Sequence, residues 1–195
     1  MNRWITLLAV VCLCAGCSTR MVHLRYNPQQ PLPAVAGVPK VAAVAVLDQR
    51  KDDPDWMGAV RGGYGNPLKS LKVKDSVAAQ YQQALMEALQ RRGLYAAADN
   101  AGCRLSVAIR RLDSIYIMNL EANVEVTYIL SDAAGARLYE NTAATRREES
   151  AHGLGIAANM DSFQAFTEKT IYENIDMIVS DPGLIEALRK SRSAR

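Results

Sequence analysis

Two runs of strict alternation constrain this chain more than anything else in it. In the first, Cys103, Leu105, Val107 and Ile109 share one face while Arg104, Ser106 and Arg110 take the other. In the second, Ala122, Val124, Val126, Tyr128 and Leu130 oppose Glu121, Asn123, Glu125 and Thr127. A period of two is the strand period, and an apolar face backed by a polar one predicts antiparallel sheet with one buried and one wet side. Cys103 falls on the buried side and reads as a small hydrophobe. At Arg110-Arg111 the parity slips, which predicts a bulge before Ile115 to Met118.

Asp132-Ala133-Ala134-Gly135 predicts a hairpin turn into a third, more polar strand, Arg137 to Arg146. Leu138, Tyr139, Thr142 and Thr145 mix there with Arg137, Glu140 and Asn141 without clean alternation, which places this strand at or near a sheet edge. An edge either accepts a partner's strand or carries charges that prevent pairing, and Arg137, Glu140 and Arg146 suit the second role as well as the first. Upstream, the valine-rich run Val41 to Leu47 reads as a central strand, followed by a polar loop from Asp48 to Asp55. Short strands are expected near Trp56 to Val60 and Ser70 to Val73.

Val77, Tyr81, Ala84, Leu85, Ala88 and Leu89 recur at helical steps, with Asp75 as N-cap and Gly93 as the stop. A second helix carries Phe163, Phe166, Thr170, Ile171, Ile175 and Ile178 behind an N-cap at Asp161. Asp181-Pro182 restarts a short terminal helix. This order predicts an α/β (α+β) two-layer sandwich: a mostly antiparallel sheet with two main helices packed on one face.

The N-terminus reads as an address rather than as fold. Met1-Asn2-Arg3 is a basic start, and Trp4 to Leu13 is an apolar run too short to span a bilayer, which needs roughly 20 residues. Leu13-Cys14-Ala15-Gly16-Cys17-Ser18 resembles the lipobox of bacterial lipoproteins, with Cys14 where that pattern usually has leucine. The resemblance makes residues 1–16 a signal peptide and Cys17 the lipid-attachment site, its thiol acylated after cleavage. An anchor of two or more acyl chains holds stably to a membrane. Ser18, rather than Asp, after the cysteine implies the periplasmic face of the outer membrane in preference to the inner membrane. Cys12 and Cys14 leave with the signal, so Cys103 alone of the four cysteines remains an unmodified thiol in the body.

Residues 17–39 hold four of the seven prolines and read as the lipidated cysteine and a tether standing the domain off the bilayer. Val22, Leu24 and Tyr26 alternate within it, which also suits a short edge strand. The domain is expected over 40–190, with a basic tail at 191–195. Arg189, Lys190, Arg192 and Arg195 suit either a helix C-terminus or lipid headgroups.

Composition is that of a globular domain, 49% hydrophobic and 22% charged, and a net charge of +3 gives no reason to expect nucleic acid. Gly63 to Ser70 lacks the glycine before lysine that a phosphate loop needs, and Pro67 removes an N–H. Asp48, Asp52, Asp53 and Asp55 are out of register for a calcium loop. His23 and His152 sit in no zinc spacing, and there is no Gly-x-Ser-x-Gly elbow. No catalytic, cofactor-binding or metal site is assigned, and the chain is read as a non-enzyme; a hydrolase would need a polar cleft around His152.

Several of these pieces together resemble the YajG family of small Gram-negative envelope lipoproteins. They are the lipobox, the first strand ending in Asp48-Gln49-Arg50-Lys51-Asp52, and a helix closing on Leu89-Gln90-Arg91-Arg92-Gly93-Leu94-Tyr95. The alternating strand pair and the terminal helices complete the likeness. The resemblance supplies no catalytic residues. Asp48 and Arg50 match its Asp-Gln-Arg element, read as a strand-end turn held by an Asp–Arg contact. Auxiliary lipoproteins of envelope transport and assembly have a similar fold, which implies an accessory or interaction module with an envelope protein partner. The alternative is a carrier of lipid or another small apolar ligand, which requires a cavity lined by core side chains.

Overall fold

The computed structural model describes residues 18–28, 31–96, 103–150 and 159–193, and these form seven strands and three helices. The signal segment 1–16, Cys17, His152 and Arg195 lie outside the described residues. The strands are β1 (Ser18–Val22), β2 (Val41–Asp48), β3 (Trp56–Arg61), β4 (Pro67–Val73), β5 (Cys103–Tyr116), β6 (Asn119–Asp132) and β7 (Arg137–Ser150). The helices are α1 (Val77–Arg91), α2 (Met160–Ser180) and α3 (Pro182–Ser193).

The alternation of 103–130 becomes the centre of the molecule. β5, β6 and β7 form an antiparallel meander in the sheet order β1-β4-β3-β5-β6-β7. Leu105, Val107, Ile109 and Leu112 of β5 and Ala122, Val124, Val126, Tyr128 and Leu130 of β6 are buried, and the helices pack on that face. The register slips between Ile109 and Arg111, where the parity change in the sequence lies. The result is an open, two-layer α+β sandwich.

β2 departs from expectation. Among the described residues it pairs with β5 alone, in parallel, and is not a central strand; only an isolated bridge, Val41 to Tyr95, touches its other side. Ala43, Ala45 and Leu47 face solvent, so the apolar run that suggested burial on both faces is made largely of small residues on the open face. β2 and β3 are laid end to end along one edge of β5: β2 takes Cys103 to Ile109, and β3 takes Ser114 to Tyr116. At Gly58 the approach of β3 to β5 is so close that a Cβ would fall 2.3 Å from the Ser114 carbonyl oxygen.

The segment expected to stand off as a tether instead packs on the domain. β1 pairs in parallel with β4, and Val22, Leu24 and Tyr26 are buried. The Leu24 N–H donates to Gln80 Oε1 at 2.9 Å, and the Arg25 N–H donates to the Tyr172 hydroxyl at 3.1 Å. Tyr26 meets Tyr172 edge-on and donates its hydroxyl to Asp176. Alternating apolar residues that can cover the α1–α2 seam gain more from burial than a solvated linker gains in freedom. Farther along, Arg92, only 6% exposed, holds the chain at Pro33 and Val35 through its guanidinium and its carbonyl. The domain expected at 40–190 therefore takes in residues 18–26. At the other end α3 runs through Ser193, so the basic stretch begins inside a helix, with Arg189 and Lys190 beside Glu186.

Both N-caps shift by a residue or two. Ser76, not Asp75, caps α1 by accepting the Ala79 N–H, and Asn159, not Asp161, caps α2 by accepting those of Asp161 and Ser162. Cys103 is 2% exposed, with its sulfur 3.4 Å from the Ser191 hydroxyl of α3. A native sample should react with a thiol reagent far more slowly at Cys103 than a denatured one; equal rates in the two states would reverse the facing of β5.

Candidate functional site

Asp48 ends β2, and two residues later Arg50 turns back on it. The guanidinium makes a two-pronged contact, Nε to Oδ1 at 2.9 Å and Nη2 to Oδ2 at 2.7 Å, while the Arg50 N–H also donates to Oδ1. Burial pushes the Asp48 carboxyl up, but the hydrogen bonds and charge of Arg50 outweigh it and hold the group below its usual range. Nη1 donates onward to the carbonyls of Trp56 at 2.7 Å and Leu112 at 3.0 Å. Those carbonyls lie at the gap between β2 and β3, so a side chain supplies donors where no strand runs beside β5. This turn is structural chemistry: its polar atoms are taken up internally. In the same loop Asp55 is held by Lys72.

The second assembly lies where β7 meets α3. Asp181 caps α3 by accepting the Gly183 N–H on Oδ1 at 2.8 Å. Its Oδ2 accepts from the Tyr128 hydroxyl of β6, and from the Tyr139 hydroxyl at 2.8 Å and Asn141 Nδ2 at 3.3 Å of β7. Burial raises the Asp181 carboxyl, the hydrogen bonds from Tyr128, Tyr139, Gly183 and Asn141 lower it, and the balance leaves it depressed. With four donors on it, this carboxylate acts as a clamp for α3 and has little basicity left for catalysis. The clamp needs glycine at 183, where a Cβ would lie 2.3 Å from the Tyr139 hydroxyl oxygen. A depressed folded-state pKa contributes stability above the unfolded value and loses it as pH falls through the folded one. Acidification below about pH 4 should therefore destabilise the protein, and Asp181→Asn should flatten that decline in urea melts. An unchanged slope would remove Asp181 from the account.

Beside this clamp runs a groove of about 550 Å³, bordered by Arg137, Leu138 and Tyr139 of β7 and by Gly183, Ala187 and Lys190 of α3. The groove is open to solvent, with Tyr139 and Ala187 in its walls packed against the core. β7 itself is the last strand of the sheet. Its fourteen residues pair with β6 on one side, and Leu138, Glu140, Thr142 and Ala144 are exposed. Ion pairs bracket the strand: Arg137 with Glu140 at its start, and Arg147 with Glu149 at 2.6 Å and Glu173 at 2.5 Å near its end. The stretch from Asn141 to Thr145 between them carries no charged side chain.

Two polar features escaped the sequence reading. Asn174 sits fully buried in the apolar face of α2, and its signal was a lone amide between Ile171 and Ile175. The Asp181 cluster draws on three elements, and local spacing gives no hint that Tyr128 and Tyr139 meet over it. His23 is exposed. Among the described residues, no group of three or more His, Cys, Asp or Glu side chains is placed to hold a metal ion, and no helix is long and apolar enough to cross a membrane.

No family model matches the chain, and no curated protein matches it. Solved structures do resemble it in fold. A Xanthomonas campestris protein of the DUF330 family superposes with a TM-score of 0.64 at 15% identity, covering 91% of this chain and 99% of that one. The PelC dodecamer subunit from Paraburkholderia phytofirmans gives a TM-score of 0.42 at 16% identity over 73% of this chain and 89% of its own. A minor lipoprotein from Acinetobacter baumannii gives 0.40 at 10% identity over 69% and 91%. The first of these likenesses establishes a shared fold.

Proposed function

We propose that the chain is a lipid-anchored protein of the bacterial envelope that works without catalysis, as an accessory module docking a partner protein through the free side of β7. The observation that carries the docking role is the position of β7: a fourteen-residue strand at the end of the sheet, with an uncharged stretch between two bracketing ion pairs. Exposed strand edges offer a row of N–H and C=O groups to an incoming strand, and the charges at either end confine pairing to the middle. The groove beside Leu138 gives an added side chain somewhere to sit.

The anchor is placed at Cys17 because Ala15-Gly16-Cys17 follows a basic start and a short apolar run. Ser18 favours the outer membrane, and the Asp48-Gln49-Arg50 element favours kinship with the YajG lipoproteins. The saturated Asp181 and Asp48 carboxylates support a role other than acid–base chemistry.

Proline at Thr142 tests the docking edge, because it removes a mid-strand N–H that the Asn141 Oδ1 accepts at 2.8 Å and that an incoming strand would have to take over. Crosslinks to envelope partners in intact cells should disappear while circular dichroism stays as in the wild type. Undiminished crosslinking in a folded Thr142→Pro protein would exclude β7 as the docking edge.

A further inference from the structure

We propose that the end of the sheet where β1 begins is a membrane-apposed rim, with the β3–β4 and β5–β6 turns resting in the headgroup layer of the bilayer that takes the Cys17 lipid. The proposal rests on the anchoring at Cys17 argued above. Ser18 is the first residue of β1, and Cys17 directly precedes it in the chain. Because residues 18–26 are bound into the domain, an anchor there has no spacer, and it draws this end of the sheet against the bilayer.

The register identifies what else lies at that end. Ser18 of β1 pairs with Lys69 near the start of β4, so the β3–β4 turn lies beside the anchor. Val60 at the end of β3 pairs with Tyr116 at the end of β5, which brings the β5–β6 turn to the same side. Neighbouring strands are about 4.8 Å apart, so the two turns fall within roughly 20 Å of β1. Three of the seven large hydrophobic side chains exposed among the described residues are in these turns: Tyr64 at 102%, Met118 at 67% and Ile117 at 37%.

Nothing in the fold requires a fully exposed tyrosine at the tip of a glycine-rich turn, whereas tyrosine is favoured at the headgroup level of bilayers. Arg61 and Lys69 flank it on β3 and β4, a sign of charge that suits anionic lipid. The acidic residues of this end are Glu148 and Glu149 of β7, Glu121 of β6 in register with Glu148, and Asp161, whose charge is paired with Arg20 of β1. At the opposite end of the sheet the β6–β7 turn holds only Ala133, Ala134, Gly135 and Ala136.

The test uses the full lipidated chain in a Cys103→Ser background, reconstituted in phosphatidylethanolamine–phosphatidylglycerol vesicles. A polarity-sensitive fluorophore is placed in turn at Tyr64→Cys, Met118→Cys and Ala134→Cys, positions whose exposure leaves folding to the rest of the chain. Emission at 64 and 118 should shift to the blue and be lost to spin-labelled lipid, with emission at 134 unchanged. Vesicle flotation and lipid labelling at Cys17 are measured on the same samples. A protein that floats and takes the label, yet is quenched equally at all three positions, overturns the rim alone. A blue shift without lipid quenching means a protein contact and also overturns it. A chain that neither takes the label nor floats overturns the anchoring and the rim with it.

Discussion

Replacing Arg50 by methionine should lower the unfolding free energy by about 3–5 kcal/mol, the usual result of removing one partner from a buried charge pair. The Arg50 side chain is 2% exposed and that of Asp48 16%, so water cannot readily take over. Methionine fills much of the volume but leaves the Asp48 carboxylate uncompensated and the Trp56 and Leu112 carbonyls without a donor. Lysine should fare only partly better, since an ammonium cannot fork across the carboxylate while reaching both carbonyls. Adding Asp48→Asn to Arg50→Met should recover part of the loss, because the stranded charge goes with it. The midpoint of urea unfolding reads all three variants. A loss of less than about 1 kcal/mol in Arg50→Met would mean that the gap between β2 and β3 hydrates easily.

Asn174→Leu should cost about 3 kcal/mol, on the scale of several buried polar groups losing partners together. Asn174 is fully buried at the seam between α2 and the sheet. Its Oδ1 accepts the Tyr81 hydroxyl at 2.8 Å, and its Nδ2 serves the Val124 and Ala143 carbonyls and the Thr145 hydroxyl at 3.1–3.3 Å. Burial drives the Tyr81 hydroxyl strongly upward in pKa, as expected of a group that stays neutral and needs an acceptor. Tyr81→Phe alone should cost about 1 kcal/mol, and the double variant less than the sum, because donor and acceptor then leave together. Strict additivity in thermal or urea melts would show that the two side chains act independently.

Sheet and helices were legible because their signal is local. Parity along β5 and β6 assigned Leu105, Val107 and Ile109 and the buried face from Ala122 to Leu130, and the slip at Arg110-Arg111 marked the bulge, but Leu112, Ser114, Tyr116 and Leu120 beyond it were not assigned. Pairing partners are not local, which is why Val41 to Leu47 read as a central strand although Ala43, Ala45 and Leu47 lie on an open face. The N-caps moved because Asp75-Ser76 and Asn159-Met160-Asp161-Ser162 each present more than one capping side chain, and only backbone geometry chooses among them. The prolines after residue 27 outweighed the alternation of Val22, Leu24 and Tyr26, although that alternation was the better guide. The Asp181 clamp was illegible for a different reason: each tyrosine looks like core until the hydroxyls are seen to converge.

The burial of Val22, Leu24 and Tyr26 also sets an order of events. A ribosome adds about 5–20 residues per second, N-terminus first. Tyr26 reaches its hydrogen-bond partner Asp176 across 150 residues of chain. Its cover is therefore not synthesised until roughly 10–30 seconds after Tyr26 itself. Val22 and Leu24 share that delay, since α2 and its Tyr172 close over the same segment. Val22, Leu24 and Tyr26 thus lack their cover until the chain has been delivered through α2, and are among the last parts of the core to be locked.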